Sequence, residues 1–261
     1  MDPVTKEVLD SANLQANPLE LLTKIVAVTG NETIESNFTY DSKNYLISEQ
    51  HKGIENGVAV DTYKKYYRDT TGKIVKVALK SKQDVDTVYT RTTYDDYYTN
   101  TLLYTLSQYQ RQGQVIRDSV TYVYDGNGHI GIQKQYRQKA TGDYGLFEQH
   151  EYSFSGRNLV VVKDFVDSSN SSNLVVAGVR QFSYDTRFNP LKLNNEAILI
   201  GRPEWASANN LISIDLENKL APGDNYKVVS KLFYSISRKP VYGTSIKSPV
   251  GTVTQVTYFY K

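Results

Sequence analysis

Thr121-Tyr122-Val123-Tyr124-Asp125-Gly126-Asn127-Gly128-His129-Ile130-Gly131-Ile132 is the stretch that decides the fold. Aromatic and β-branched residues before Asp125 suit a pleated strand, and Asp, Gly and Asn supply the positive φ that a tight turn needs. Beyond the turn the chain continues through Ile130, Ile132, Lys134 and Tyr136 in period-two alternation. The stretch is therefore a β-hairpin. Its first half recurs as Asn37-Phe38-Thr39-Tyr40-Asp41 before Tyr45-Leu46-Ile47, and weaker copies are Tyr152-Ser153-Phe154-Ser155-Gly156 and Phe182-Ser183-Tyr184-Asp185. The last three copies lie roughly 25 to 35 residues apart, and all are degenerate in sequence.

Working outward, turn signals at Gly30-Asn31, Asn56-Gly57, Thr71-Gly72, Gly142-Asp143 and Ser168 to Asn173 divide the chain into about fifteen runs of roughly ten residues. Strands joined consecutively by short turns make an antiparallel up-and-down meander. The expected fold is all-β: a wide curved sheet or a partly open, water-soluble barrel. Two regions break the rhythm. Residues 1–22 read as an N-terminal spacer or cap, with a short helix permitted by Val8-Leu9, Leu14 and Leu19-Leu21-Leu22 but interrupted by Asn17-Pro18. Residues 23–261 form a single β-domain with one long connection at 185–208, a segment that could fill a barrel.

Composition narrows the function. The 30 basic and 28 acidic residues leave a formal net charge of +2, so no global field favours nucleic acid or an anionic membrane. The absence of cysteine removes disulfides, thiolate-bound metals and cysteine nucleophiles. Twenty-two tyrosines against 8 phenylalanines, 1 tryptophan and 1 methionine suit a half-solvated sheet in which rings pack and hydroxyls reach out. The longest apolar run, Leu159 to Val162, is far below the roughly 18 residues of a membrane helix. Residues 2–6, Asp-Pro-Val-Thr-Lys, do not resemble a signal peptide, and any export signal is expected to have been removed.

A membrane barrel needs one uncharged face on each strand. In Val60 to Arg68 the even positions carry Lys64 and Arg68 and the odd positions Asp61 and Lys65, so both faces are charged. Alternation in Gly145 to Phe154 likewise puts Glu148 and His150 on one face and Gln149 and Glu151 on the other.

Catalytic motifs do not assemble. Gly126-Asn127-Gly128-His129-Ile130-Gly131 matches G-x-G-x-x-G, but strand alternation follows it where a dinucleotide site needs a helix. Asp125-Gly126-Asn127 lacks the remaining ligands of a calcium loop. His51, His129 and His150 have no metal-ligand spacing, and no serine has a G-x-S-x-G setting. Carboxylate pairs at Asp84/Asp86, Asp95/Asp96 and Asp215/Glu217 could supply a glycosidase acid and base, although 28 acidic residues on a polar sheet make such pairs by chance. No cofactor or metal is expected. Exposed aromatics remain as ligand platforms: Tyr94, Tyr97 and Tyr98 near a turn, and Trp205 in the long connection beside Arg202 and Glu204. The ligand-binding residues expected are Trp205, Tyr97 and Tyr98, with a glycan or a peptide as partner.

Leu22-Thr23-Lys24-Ile25-Val26, the Tyr-Asp turns, Phe182 to Leu191, Asn209-Asn210 and the closing Val256-Thr257-Tyr258-Phe259-Tyr260 resemble a family of Bacteroides-type lipoproteins of unknown function with a porin-like β-fold. The resemblance covers most of residues 22–261, and its Tyr-Asp turns also occur in YD-repeat shells. It implies a fold and a lipid-anchored place in the cell envelope, in the periplasm or at the outer-membrane surface, and no catalytic residues. Family members carry a lipidated N-terminal cysteine, for which Met1 is expected to stand in a shortened chain. The expected function is that of a non-enzymatic envelope lipoprotein acting as a binding or structural module. A carbohydrate-active hydrolase with a dispersed carboxylate pair is the alternative.

Overall fold

The computed structural model describes residues 20–81, 88–94, 101–111, 114–168, 173–193 and 195–261. Sixteen strands among these residues form one closed antiparallel barrel. In chain order they are β1 (Leu22–Thr29), β2 (Glu32–Tyr40), β3 (Leu46–Glu55), β4 (Val58–Arg68), β5 (Ile74–Ser81) and β6 (Val88–Tyr94). They continue as β7 (Leu102–Arg111), β8 (Gln114–Tyr124), β9 (Ile130–Gln138), β10 (Tyr144–Ser155) and β11 (Asn158–Asp167). The last five are β12 (Leu174–Phe188), β13 (Asn209–Asn218), β14 (Tyr226–Tyr234), β15 (Pro240–Ser248) and β16 (Thr252–Tyr260). Each strand pairs with its neighbours in sequence, and β1 pairs with β16 from Leu22 opposite Tyr260 to Thr29 opposite Thr254. Closure leaves no unpaired edge, which answers the choice between a curved sheet and a barrel. β1 begins at Leu22, one residue before the expected domain boundary, and the spacer at residues 1–19 lies outside the described residues.

One turn, used repeatedly, builds one rim. In the β2–β3, β4–β5 and β8–β9 connections an Asp carboxylate accepts backbone N–H bonds from the residues two and four further on. These are Lys43 and Tyr45 on Asp41, Thr71 and Lys73 on Asp69, and Asn127 and His129 on Asp125, all at 2.8–3.0 Å. The fourth residue is left-handed in each, with φ of 66° at Asn44, 92° at Gly72 and 80° at Gly128. This is why Asp opens the turn and Gly or Asn ends it. The tyrosine that ends a strand at this rim has its own task. Tyr40 donates its hydroxyl to the Leu22 carbonyl at 2.9 Å, Tyr124 to Leu102 at 3.2 Å, and Tyr260 to Pro240 at 2.8 Å. In each case the end of one strand holds the first residue of the strand beside it. The hydroxyls of these three are thus spent on rim backbone rather than on water. Asp185 departs from the pattern: Phe182-Ser183-Tyr184-Asp185 lies inside β12, where Asp185 accepts from the Arg187 and Asn210 backbone N–H groups at 2.8 and 3.2 Å.

A barrel of sixteen strands is too wide for its own side chains to fill. The connection after β12, which starts at 189 because the strand runs on to Phe188, folds inward and occupies one end. It contains a short helix α1 (Asn195–Leu199) and a 3-10 turn (Pro203–Ala206). Leu191 and Ile200 join Leu22, Phe38, Leu46, Tyr66, Ile74 and Val77 in one buried cluster, and Ile198 joins Leu102 and Ile130 in a second. Arg68 pins the helix: its guanidinium holds both oxygens of Glu196 at 3.0 Å and also donates to the Leu46 carbonyl at 3.1 Å. On the opposite side Asn195 accepts from Ile130 N–H at 3.2 Å and donates to the Gly128 carbonyl at 2.9 Å. The inward segment therefore plugs the rim that carries the Asp turns.

The outer wall is charged around its circumference. Lys65, Lys76, Lys134 and Lys163 each adjoin an inward residue, namely Tyr66, Val77, Gln133 and Val162, so alternation turns them outward. Lys65 and Lys76 lie over the exposed ring of Tyr67 at 5.1 Å, and Lys76 over Tyr89 at 4.1 Å. The described residues include no helix long and apolar enough to cross a membrane.

Candidate functional site

Above the plug lies a lumen whose floor is the 3-10 turn and whose walls are inward positions of the strands. Opposed residues of an antiparallel pair share a face, so the wall can be traced strand to strand. Phe38 is in the core, which turns Glu49 inward; Lys64 lies opposite Glu49, and Ser36 lies opposite His51. Across the lumen the same rule carries inwardness from Val162 to Tyr152 and Arg180, and along β10 and β11 to His150 and Asp164.

The floor presents Arg202, Glu204 and Trp205. Trp205 is partly buried, edge-on to Phe38 with ring centroids 5.8 Å apart, and the Arg202 guanidinium lies 5.4 Å from its centroid. Burial pushes the Glu204 carboxyl up from its ordinary range; Arg202 and Arg180 pull the other way, while Glu49 adds to the rise. Three polar atoms around this floor are buried outside good hydrogen-bond geometry with any described residue: the hydroxyl of Tyr66, which faces Glu49, the hydroxyl of Tyr184, which faces Ser207, and the Nε of Arg202. Buried polar groups of native proteins are almost always satisfied, so the Arg202 Nε, with two loosely held tyrosine hydroxyls beside it, represents unused hydrogen-bonding capacity on this floor.

On one wall Glu49 pairs with Lys64 at 3.3 Å, and the Lys64 ammonium also donates to the Ile200 carbonyl of the plug at 2.9 Å. Burial lowers the Lys64 pKa, and Arg202 reinforces this while Glu49 opposes it. His51 meets the Ser36 hydroxyl at 2.9 Å; burial and then Arg202 hold its imidazole below the usual range. On the facing wall Arg180 grips Asp164 with two bonds of 2.8 and 3.1 Å, and His150 Nδ1 meets Asp164 at 2.7 Å. His150 Nε2 lies 3.3 Å from Glu148 and 3.2 Å from the Gln135 amide. Burial tends to raise the Asp164 pKa, but the bonds from His150 and Arg180 outweigh it and the net shift is downward. Hydroxyl pairs continue the polar lining: Thr29 with Thr254 at 2.7 Å, Thr90 with Ser107 at 2.8 Å and Ser230 with Ser245 at 2.8 Å.

Of the residues singled out from sequence, Trp205 reaches the floor with its neighbours Arg202 and Glu204, whereas Tyr97 and Tyr98 lie outside the described residues. The pairs Asp84/Asp86 and Asp95/Asp96 lie outside them too. Asp215 and Glu217 are half-exposed, both ion-paired to lysines, Lys227 at 3.5 Å and Lys219 at closer range. They alternate with Leu216, which pairs across to inward Arg180, so they stand on the outer wall and address no chamber. His129 stays at the rim, stacked on Phe154 with centroids 4.3 Å apart. The three histidines do not converge, and the described residues contain no His, Cys, Asp and Glu group fit for a metal. Glu49, Lys64, Asp164 and Arg180 were missed by sequence reading, and only the strand register could have found them.

No family model matches the chain, and no curated protein matches it. Solved structures do share its fold. A porin-like protein from Bacteroides uniformis superposes with a TM-score of 0.57 at 10% identity, covering 94% of this chain and 99% of the other. A porin-like protein from Bacteroides vulgatus gives 0.54 at 12% identity, with 93% and 99% covered. The chain thus has the sixteen-stranded, all-antiparallel architecture of a porin-like barrel, closed and plugged at one end.

Proposed function

We propose that the protein is a non-enzymatic cell-envelope protein whose plugged barrel binds a polar ligand, a glycan or a peptide, on the floor of its lumen. The carrying observation is the convergence of Arg202, whose buried Nε is unpaired among the described residues, and the loosely held hydroxyls of Tyr66 and Tyr184 on the turn that holds Trp205 and Glu204. A sugar or peptide offers the donors and acceptors that would pair with these atoms, and the Trp205 ring supplies an apolar face. Resemblance to porin-like envelope lipoproteins supports an envelope location, with contact to the membrane made only through a lipid anchor. The fold shared with two Bacteroides porin-like barrels is consistent with that place.

Trp205 is the sole tryptophan, so its emission is a single-site reporter on the floor. A panel of bacterial and host glycans and short peptides, titrated against the protein, is expected to include one that shifts Trp205 emission saturably. Its affinity should drop about tenfold or more in Tyr184→Phe, which removes one loosely held hydroxyl and keeps the ring. A ligand found by calorimetry that leaves Trp205 emission unchanged and binds Tyr184→Phe as tightly would place binding elsewhere.

A further inference from the structure

A second cavity lies outside the lumen, at the plugged rim. Its volume is about 250 Å³, and it is lined by Gly128, His129, Phe154, Arg157, Lys192, Asn195 and Ala206. The β8–β9 turn forms one side, the β10–β11 turn another, and the plug the base. We propose that this pocket binds a small organic oxyanion, a phosphate or carboxylate carried on a flat apolar body.

The cations come first. Arg157 and Lys192 converge on the pocket from separate elements, and neither forms an ion pair among the described residues. Burial, and after it the nearby Arg157, holds the Lys192 ammonium below its ordinary range, as partial burial beside a like charge requires. An oxyanion between them would remove that repulsion, and Arg offers two parallel donors to it.

The apolar wall comes second. His129 and Phe154 stack at 4.3 Å with planes 12° apart, giving one flat surface, and Ala206 gives a small neighbour at the base. A single aromatic ring is of the right size, since an apolar cavity of about 150 Å³ already holds benzene.

No described lining residue is a carboxylate, and Asp125, which adjoins the pocket through His129, is already committed. One oxygen accepts the Asn127 and His129 backbone N–H groups at 2.8 and 2.9 Å, and the other faces His129 Nδ1 at 3.2 Å. The Asn195 side chain is likewise spent on Ile130 and Gly128. What the pocket has left to offer is positive charge beside a flat ring.

The test is calorimetric titration of the whole chain with phenyl phosphate, benzoate, inorganic phosphate and phenol in parallel. Phenyl phosphate or benzoate is expected to bind saturably and at least about tenfold more tightly than phenol, and the stronger of the two identifies the oxyanion. Inorganic phosphate is expected to bind more weakly than phenyl phosphate because it cannot use the ring. Charge reversal at the exposed arginine, Arg157→Glu, should weaken binding about tenfold or more, and Lys192→Gln should do so independently. Both variants keep the Asp125 turn intact, and melting curves verify their folding. Phenol binding as tightly as phenyl phosphate and benzoate, or either variant binding them unchanged, would overturn the proposal. Because the lumen is read through Trp205 and Tyr184→Phe, either site can fail without the other.

Discussion

Glu204 shows how far a single residue's chemistry is set by the barrel. It sits on the plug in a partly buried position, and its carboxyl is pushed up by burial beyond what Arg202 and Arg180 restore. The sign of the consequence follows from linkage. A carboxyl with a folded pKa above its unfolded value of 4.5 binds its proton more tightly in the native state. Its contribution is therefore most favourable below that unfolded value, declines as pH rises to the folded pKa, and is constant above. Glu204→Gln removes the cost of the charge, so the variant should melt about a few degrees above wild type at pH 8. At pH 4 the difference should close. An equal or lower melting temperature at pH 8 would mean that the bonds to the two arginines outweigh burial. The Tyr-Asp repeat is the residue-scale counterpart that sequence made visible. Asp41 and Asp125 were legible because a turn needs an acceptor two residues before its third position. The tyrosine hydroxyls were not, because their partners Leu22 and Leu102 lie 18 and 22 residues away, on the neighbouring strand.

At the scale of elements, glycines separate a turn's conformational need from a steric one. Gly128 has φ +80° and nothing within 4 Å of where a Cβ would stand, so Gly128→Ala costs only the left-handed conformation, about 1 to 2 kcal/mol. Gly53, in β3 opposite Ile34, has φ +151°, and a Cβ there would meet the Thr33 carbonyl oxygen at 2.0 Å. Gly53→Ala should therefore cost more than about 3 kcal/mol or abolish folding. Urea denaturation of the two variants checks the order, and equal losses would show that the β2–β3 ladder can yield. The hairpins themselves were legible from turn residues and period-two runs. The plug was only half legible: Asn189-Pro190 and Arg202-Pro203 announced a break, and the sequence permitted it to fill a barrel. Nothing local indicated that Glu196 would meet Arg68, since 128 residues separate them. The missed walls have the same cause. Arg180 meets Asp164 only after a register shift between Asp164 and Phe165, and bulges of this kind decide which residue turns inward.

At the scale of the whole molecule, a porin-like architecture meets a charged outer surface. Sixteen antiparallel strands suit a membrane channel, and the match to porin-like barrels covers nearly the whole chain. The outer wall argues for water. Lys65, Lys76, Lys134 and Lys163 project outward on β4, β5, β9 and β11, and each lysine at a bilayer midplane would cost about 2 to 4 kcal/mol. Some of these stems lie over outward tyrosines, a pairing that keeps the ammonium hydrated while covering the ring. The plug reinforces this, since packing Leu191, Ile198 and Ile200 against the barrel wall obstructs one end of any passage. Residues 20–261, added to preformed liposomes of neutral lipid, should stay in the aqueous fraction on flotation and produce no conductance steps in a planar bilayer. Replacing the four lysines by leucine should shift the protein toward the floating fraction without opening a channel, because the plug remains. Conductance from the unmodified barrel would mean that the plug leaves the lumen and that the charged wall tolerates lipid, and the reading of this fold as a water-facing binding module would then fall.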